Sequence, residues 1–572
     1  MKHFIIEYLY WTGFYRLVNL AISTLVYAIF LKRLTKLPVI IGAVPGFIVA
    51  NIFPFTITVP FFYLAKAFNF LFTFNVKTKR DRKLENKEVK IKVSEDAFKF
   101  STETEDIIMN NPYRGTYIQG GAGSGKSVSI IYPILKQATQ KNFSGLLYDF
   151  KSPELSSFTI QQVLKNSTSV TPYFVDFKEA RRSVRINPLN PSLMTKTAYA
   201  HEYSQTLLFN LSPNNIKNEN YFMIDAKSVL TGIIWYLKKE YPQYCTLPHI
   251  IALVLYNDIN TLLEKMADNI ETKGLVASLS QAIKNNASKQ VAGVVSTLQA
   301  NLSKINTPDI FWILSGNDID LDVNDPNNPK FICLGNESTL AQTYAPIISL
   351  IISVAAKQMN QPNKHKSIIV LDEAPTLYIP NFEQIPATAR SNKVATVYGA
   401  QDFSQLVDRY QNDKAQVILS NMGNQFFGRT VNKNTATMIT QMFGRADKKF
   451  QTRSKGDSFH DSEFFGRHIN SSSENFSETI QERDRVKTTD IMNLEPGEFY
   501  GLIAEGNKKE ILKSKFKVDR EIEETDFEFE LKVSEDDIQK NYVKIIEESA
   551  SILHGTAMFQ QSSSNDDDLI KF

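Results

Sequence analysis

The chain has 572 residues, of which 43% are hydrophobic and 22% are charged, which is ordinary for a globular protein that also has a membrane part. Its two cysteines allow at most one disulfide pair, and we propose no metal site of the zinc-finger kind. The net charge of +3 hides an asymmetry, because residues 521–572 carry −10 and the rest of the chain carries +13.

The first 76 residues predict membrane segments. Residues 11–31 and 39–59 are each apolar over about the length that crosses a bilayer, roughly 20 residues. Residues 60–74 continue apolar and aromatic, and we interpret them as an interfacial helix, with a third span as the open alternative. The basic run at 77–83 belongs on the cytoplasmic side of a membrane, so the body that follows it is predicted to be cytoplasmic.

A glycine-rich stretch between a predicted strand and a helical pattern fits the phosphate loop, or Walker A motif, of a P-loop ATPase. Glycines let backbone N–H groups curl around phosphates, a lysine contacts the β- and γ-phosphates, and a serine hydroxyl helps to bind Mg²⁺. The sequence therefore predicts ATP and Mg²⁺ as cofactors. The predicted nucleotide-binding residues are Gly120, Gly121, Ala122, Gly123, Ser124, Gly125, Lys126 and Ser127.

Residues 196–310 repeat apolar residues at spacings of three and four, which predicts a mostly helical region. Between Lys126 and Asp372 lie more residues than a minimal P-loop core needs. We therefore expect the helical region to be a domain inserted between strands of the nucleotide-binding fold.

The run "SIIVLDE" at 367–373 predicts a buried strand that ends in two carboxylates, the Walker B pattern. Asp372 is the predicted Mg²⁺ ligand, through water, and Glu373 is the predicted base for the attacking water. A later apolar strand ends at Gln401, whose amide is placed to sense the γ-phosphate. Arg390 lies between the two strands, and its position alone leaves open a surface role or a finger that reaches a neighbouring subunit.

Taken together, several segments resemble the type IV coupling proteins, the TraG/TraD group of conjugative DNA-transfer ATPases, and look most like their MobC-like, Bacteroides-type branch. They follow one another in the expected order over about residues 110–506. The matching segments are "NPYRGTYIQGGAGSGKS" (111–127), "LLYDFKSPEL" (146–155), "RINPLNP" (185–191), "FWILSGNDIDL" (311–321), "VLDEAPTLYIPNFEQIPATARSNKVATVYGAQDFSQL" (370–406) and "LEPGEFYGLIAEG" (494–506).

The resemblance implies an α/β fold: a RecA-like P-loop domain with an inserted all-α domain and N-terminal transmembrane helices. It implies roles for Lys126 and Ser127 at ATP and Mg²⁺, for Asp372 and Glu373 as the Walker B pair, for Gln401 as the sensor and for Arg390 as the arginine finger. The "YDFKSPEL" segment lacks the glycine of the usual family form, which puts a site role for Glu154 in doubt. The predicted regions are 1–76 (membrane), 77–110 (basic linker), 111–195 and 311–520 (nucleotide-binding domain), 196–310 (inserted domain) and 521–572 (acidic tail).

The implied function is ATP-driven passage of single-stranded DNA with its relaxase to a type IV secretion channel, by a homo-hexamer in the bacterial inner membrane. The implied partners are the relaxosome and channel components. The acidic tail is a candidate dock for a relaxase or adaptor, or a solvated segment that keeps the protein soluble.

Three alternatives remain. A double-stranded DNA translocase of the FtsK/HerA kind shares the motor core but would usually end in a DNA-orienting winged helix, whereas this chain ends acidic. An ABC transporter would need a complete Leu-Ser-Gly-Gly-Gln signature, of which "LSGND" at 314–318 is a fragment. A protein-cargo receptor with a slow ATPase stays open, although the intact ATPase motifs weigh against loss of hydrolysis.

Overall fold

The computed structural model describes residues 93–166, 169–460, 469–505, 511–518 and 527–554, and for 448–460 and 469–480 it describes only the backbone. The predicted membrane segments, the basic run at 77–83 and residues 555–572 lie outside the described residues. The number of membrane segments therefore stays a prediction.

A mixed β-sheet forms the centre of the described part of the chain. The strands of the described residues are β1 (Phe98–Phe100), β2 (Ile107–Met109), β3 (Thr116–Gln119), β4 (Ser144–Asp149), β5 (Thr171–Asp176), β6 (Lys330–Gly335), β7 (Ser367–Leu371), β8 (Val394–Ala400), β9 (Asn424–Phe427), β10 (Arg445–His460), β11 (Ile469–Asp484), β12 (Glu498–Leu502) and β13 (Leu512–Lys515). The strand order of the central sheet is β13-β12-β9-β3-β8-β7-β4-β6-β5. Strands β3 to β9 run parallel, and β12 and β13 are added antiparallel at the side next to β9.

The central strands are buried along their whole length. Every residue of β4, β7 and β8 is buried. Leu146 and Tyr148 point into one hydrophobic core while Leu147 points into a second, as the alternation of a strand requires. Continuous apolar runs are typical of parallel strands that are covered on both faces, so the carboxyl ends of these strands form the accessible edge of the sheet.

Helices cover the sheet and form a helical region between β5 and β6 that comprises α3 to α10. The long α5 packs against α3 and α9 within that region. The helices are α1 (Tyr132–Gln140), α2 (Glu154–Lys165), α3 (Thr197–Leu211), α4 (Asn214–Lys217), α5 (Tyr221–Glu240), α6 (Leu247–Tyr256), α7 (Ile259–Asp268), α8 (Ala277–Lys284), α9 (Ser288–Leu302), α10 (Pro308–Leu314), α11 (Ala341–Met359), α12 (Ile385–Thr388), α13 (Phe403–Tyr410), α14 (Asn412–Asn421), α15 (Lys433–Phe443), α16 (Thr488–Met492) and α17 (Glu535–His554).

Helix α11 is the apolar core helix of the nucleotide-binding fold. Within the described residues, Ser338–Met359 is the one helical stretch long and apolar enough to cross a membrane. In the fold, 72% of its apolar window is buried against other protein elements. Its composition is therefore explained by packing between the sheet and the helical region.

Strands β10 and β11 form a separate antiparallel ribbon. They pair with each other from Arg445 opposite Asp484 to His460 opposite Ile469, and among the described strands they hydrogen-bond to no other. The basic stretch at 446–455 lies in β10.

The acidic C-terminal segment contains a helix that packs onto the helical region. Tyr542 of α17 lies against the ring of Phe311, with 4.8 Å between ring centroids, and its hydroxyl is 2.7 Å from that of Tyr256. Glu548 Oε2 is 3.1 Å from His249 Nε2, and this hydrogen bond lowers the pKa of Glu548. The stabilisation from that contact is present at neutral pH and is lost as the pH falls through the lowered pKa. Much of the segment predicted as a tail is thus a structural element.

The buried face of α17 predicts a clear difference between two apolar residues on it. Ile545 is 2% exposed and Val543 is 52% exposed. We expect Ile545→Ala to destabilise the protein by about 2–5 kcal/mol, because it leaves a cavity between α17 and the helical region. The matched control Val543→Ala should change stability by less than about 0.5 kcal/mol. Thermal unfolding of the full-length protein in detergent measures both, and equal midpoints for the two variants would contradict this packing.

Candidate nucleotide-binding site

The glycine-rich loop lies at the carboxyl edge of the sheet, between β3 and the π-helical turn Ser127–Ile131 that continues into α1. Its first residues are tied to both neighbouring strands. The N–H of Gly120 donates to the carbonyl of Ala400 at 3.1 Å, and the N–H of Gly121 donates to the carbonyl of Arg429 at 2.9 Å. These two hydrogen bonds anchor the start of the loop to the end of β8 and to the segment that follows β9.

Two glycines of the loop have backbone conformations that other residues rarely adopt. Gly123 and Gly125 have φ values of +75° and +85°. At Gly125 a Cβ would also lie 2.9 Å from the backbone nitrogen of Gly497, which itself donates to the carbonyl of Ser124 at 2.8 Å. The "LEPGEFYG" segment thus supports the loop from outside, a role that its sequence did not reveal.

Lys126 is buried and forms an ion pair with the Walker B carboxylates. Its side chain is 7% exposed, and its Nζ lies 2.6 Å from Glu373 Oε1 and 3.6 Å from Asp372 Oδ1. Because Lys126 and Asp372 are 246 positions apart in the chain, only the parallel arrangement of β3, β8 and β7 brings these groups together. The structure therefore places the predicted lysine, metal ligand and base in one cluster.

The protein supplies only part of the ligand set of a Mg²⁺ ion, and the residues present fit that part. Asp372 is buried, and burial raises its pKa while the charge of Lys126 acts in the opposite direction. Its Oδ1 has the ammonium of Lys126 at 3.6 Å and no closer donor from the protein, so that oxygen can also accept from a metal-bound water. Ser127 begins the helical turn, and its hydroxyl lies in the motif position for the same ion. Mg²⁺ usually takes one or two protein ligands together with phosphates and waters, which agrees with this small set.

Glu373 has a strained backbone. Its φ of +53° and ψ of +46° lie in the left-handed region, which costs a non-glycine residue about 1–2 kcal/mol. Gly399 on β8 faces this turn, and a Cβ there would lie 3.1 Å from the carbonyl oxygen of Leu371. Strain of this kind is typical of functional positions, here one that aims Glu373 toward the lysine of the loop.

Gln401 follows β8 directly and therefore lies at the same edge as the loop. The next residue, Asp402, accepts hydrogen bonds from Thr430, Asn432 and Thr435 at 2.8–2.9 Å. The strand end that carries Gln401 is thus tied to the segment after β9. That coupling joins residues about 30 positions apart, and no local pattern indicated it.

Arg390 lies at the amino-terminal ends of the parallel strands, whereas the phosphate loop of the same chain lies at their carboxyl ends. It precedes β8, whereas the loop follows the neighbouring parallel strand β3, so the length of β8 separates them, about 20 Å. Its side chain is 48% exposed, and its Nη2 lies 3.6 Å from Glu505 Oε1. The structure therefore does not bring Arg390 together with the other predicted site residues of the same chain.

Glu154 and Asp149 of the "YDFKSPEL" segment differ in exposure. Glu154 is exposed in the first turn of α2, in keeping with the doubt about its role. Asp149 ends β4 and is completely buried, and burial raises its pKa to about 7. Asp149 is thus the carboxylate of this segment that lies near the site.

Comparisons with known proteins bear on the family and the fold of the chain. A family model described as the TraM recognition site of TraD and TraG matches residues 367–496, a segment that begins with β7 and includes Glu373 and Gln401. No curated protein sequence matches the chain. The family match supports the resemblance to type IV coupling proteins that the sequence predicted, and the MobC-like branch stays a prediction.

The fold resembles that of the bacterial conjugative coupling protein TrwB. The unbound form of its deltaN70 variant matches with a TM-score of 0.55 at 14% identity, over 77% of this chain and 91% of that one. TrwB with the non-hydrolysable ATP analogue ADPNP gives 0.52 at 14% identity, over 71% and 86%. TrwB with ADP and Mg²⁺ gives 0.51 at 14% identity, over 74% and 88%. The predicted RecA-like α/β fold is confirmed.

Proposed function

We propose that this chain is a membrane-anchored, ATP-driven coupling protein that moves single-stranded DNA, with its attached relaxase, to a type IV secretion channel. The observation that carries the proposal is the cluster of Lys126, Asp372 and Glu373 beside a phosphate loop, on a fold shared with a conjugative coupling protein. The match of residues 367–496 to a TraM recognition site supports recruitment of relaxosome proteins.

ATP hydrolysis follows from an exchange of partners at Lys126. In the structure the lysine neutralises Glu373, so the carboxylate that serves as base is occupied. When Lys126 binds phosphate oxygens it leaves Glu373, which is then free to accept a proton from the attacking water. Asp372 and Ser127 would hold Mg²⁺, which would neutralise charge on the phosphates. Gln401, at the end of β8, reports the loss of the γ-phosphate to the segment after β9.

The position of Arg390 favours action on a neighbouring subunit. It is exposed and lies about a strand length from its own loop, so a ring in which one subunit's amino edge faces the next subunit's phosphate loop would use it as a finger. Such a ring, a homo-hexamer in this proposal, passes DNA through a basic channel by contacts to the backbone, independent of sequence.

Arg390→Ala predicts a loss of activity that depends on assembly. We expect ATP hydrolysis by assembled rings to fall about 10³-fold or more, because the transition-state charge loses its cation, while ATP binding is unchanged. Mixing with Lys126→Ala subunits, which keep Arg390, should restore part of the activity. Glu505→Gln is the control, since it removes the partner of Arg390 and leaves the arginine in place. An equal loss in a verified monomer would contradict action across subunits.

The function itself is tested by the ATPase activity of the full-length protein in detergent with single- or double-stranded DNA. We expect stronger stimulation by single-stranded DNA, with a steep decrease as salt rises, because contacts to phosphates release counterions. Stronger stimulation by the duplex would favour a translocase of the FtsK/HerA kind. A protein that hydrolyses ATP with no response to either DNA would instead be a receptor for protein cargo.

A further inference from the structure

A group of buried polar atoms lies at the carboxyl ends of β4 and β6, next to the Walker B strand. Asp149 ends β4, and its Oδ2 accepts the N–H of Ser156 at 2.8 Å, whereas its Oδ1 has no protein partner. Asn336 follows β6, and its N–H donates to the carbonyl of Asp149 at 3.0 Å. Asn336 is 1% exposed, yet neither its side-chain oxygen nor its side-chain nitrogen contacts a protein partner.

Two serines belong to the same group. Ser152 Oγ lies 2.3 Å from the point where a Cβ on Gly335 would be, which places it beside the end of β6. Ser156 begins the buried face of α2 next to Asp149. Both serines are buried, and the hydroxyl oxygen of Ser152 lacks a protein partner. Ser152 is thus a third buried side chain with an unpaired polar atom at this end of the sheet, beside Asp149 and Asn336.

The group adjoins the predicted Mg²⁺ ligand. The N–H of Asp372 donates to the carbonyl of Tyr148, the residue before Asp149, at 3.1 Å. Since β4 and β7 are adjacent parallel strands, Asp149 and Asp372 stand side by side at their ends. Asp372 Oδ1 lies 3.6 Å from Lys126 Nζ and has no closer hydrogen-bond donor from the protein. The polar group and the predicted metal ligand thus stand at the ends of neighbouring strands.

A second buried aspartate at the carboxyl ends of the strands finds its hydrogen-bond partners within the protein. Asp176 ends β5, and its carboxylate is paired with the guanidinium of Arg182. Its Oδ1 also accepts the N–H of Lys178 at 2.9 Å. A buried polar group left unpaired is unfavourable, so such groups bind ordered water when the protein supplies no partner. A buried water takes two to four polar partners, and this group offers at least that many.

We propose that these buried polar atoms bind ordered water, and that Asp149 and Asn336 position the carboxylate of Asp372 through that water. They are positioning residues, since they act on the metal ligand and do not touch the nucleotide. Residues that hydrogen-bond to a metal-binding side chain, and not to the metal itself, fix the direction of that side chain. Removing one of them typically costs 10–100-fold in metal affinity or activity. The inference rests on the proposed ATPase function.

Asn336→Leu separates this proposal from a structural role. Leucine branches at Cγ as asparagine does but carries no hydrogen-bonding group, and because the side chain of Asn336 has no protein partner, a structural account predicts no loss of hydrogen-bond energy. The proposal predicts a fall in kcat of about 10–100-fold and a matching rise in the Mg²⁺ concentration for half-maximal activity. Nucleotide affinity measured with a fluorescent ATP analogue without Mg²⁺ should be unchanged.

The experiment uses the full-length protein, with ATPase activity followed as Mg²⁺ and ATP are varied separately. Ser152→Ala is the second variant and should shift the Mg²⁺ dependence in the same direction. Asp176→Asn is the control: it breaks the Arg182 pair and should lower the unfolding temperature without moving the Mg²⁺ dependence. Folded Asn336→Leu and Ser152→Ala proteins with the wild-type Mg²⁺ dependence would overturn the proposal. A wild-type protein without ATPase activity would overturn the proposed function instead.

Discussion

Replacing Lys126 with alanine is expected to abolish ATP hydrolysis and DNA transfer, with a fall in the hydrolysis rate of at least about 10²–10³-fold. The lysine is the cation that the cluster supplies to the phosphates. Its loss also leaves two buried carboxylates, Asp372 and Glu373, without their counter-charge. Phosphate is then repelled by the same groups that should serve Mg²⁺ and the attacking water, so nucleotide binding weakens together with catalysis.

The measurement is ATPase activity of the purified full-length variant together with a transfer assay in cells. Lys141→Ala is the matched control. Lys141 directly follows α1, the helix after the phosphate loop, and its Nζ donates to the carbonyl of Glu95 at 2.7 Å. Membrane insertion should be unchanged in both variants. Transfer that persists in Lys126→Ala cells would show that the motor is not the source of movement.

Glu373→Gln is expected to separate ATP binding from hydrolysis. The amide keeps the shape of the side chain but accepts no proton, so hydrolysis should fall by about 10²–10⁴-fold. Binding should be equal or tighter, because Lys126 is no longer held by a carboxylate at 2.6 Å and is free for the phosphates. The variant should therefore accumulate with ATP bound, which filter binding or a fluorescent nucleotide measures directly.

Two comparisons make the Glu373 experiment specific. Glu383→Gln, in the turn after the Walker B strand, changes the same chemical group outside the cluster and should keep wild-type hydrolysis. A Glu373→Gln protein that hydrolyses ATP at the wild-type rate would assign the base to another residue, and Asp149, the other buried carboxylate beside Asp372, would be the first to test.

The sequence predicted the parts of the site whose chemistry is local. The glycines, Lys126 and Ser127 are contiguous, and the Walker B carboxylates follow directly on a recognisable buried strand. Each group is fixed by a short segment whose residue types the chemistry demands. Their convergence was then a consequence of parallel strands ending at one edge, which the resemblance to coupling proteins also implied.

What the sequence could not predict depends on contacts between distant segments. The support that Gly497 gives to Gly125 joins residues more than 370 positions apart. Asn336 is an ordinary polar residue after a strand until the fold buries its side chain. The docking of α17 was hidden because acidic composition dominated its segment, while its few apolar residues carry the packing. The separation of Arg390 from the phosphate loop of its own chain could be deduced only once the strand order was known.

The strand order also fixes when the nucleotide site can form during synthesis. Both sheet neighbours of β3 lie some 280 residues further along the chain, in β8 and β9, and the loop's outer support comes later still, from Gly497 and the backbone of Phe516 that pairs with it. At about 5–20 residues per second, a ribosome needs roughly 15–60 seconds to reach β8 and β9 after β3. The N-terminal segments leave the ribosome first. The nucleotide site therefore forms only after the N-terminal region has left the ribosome.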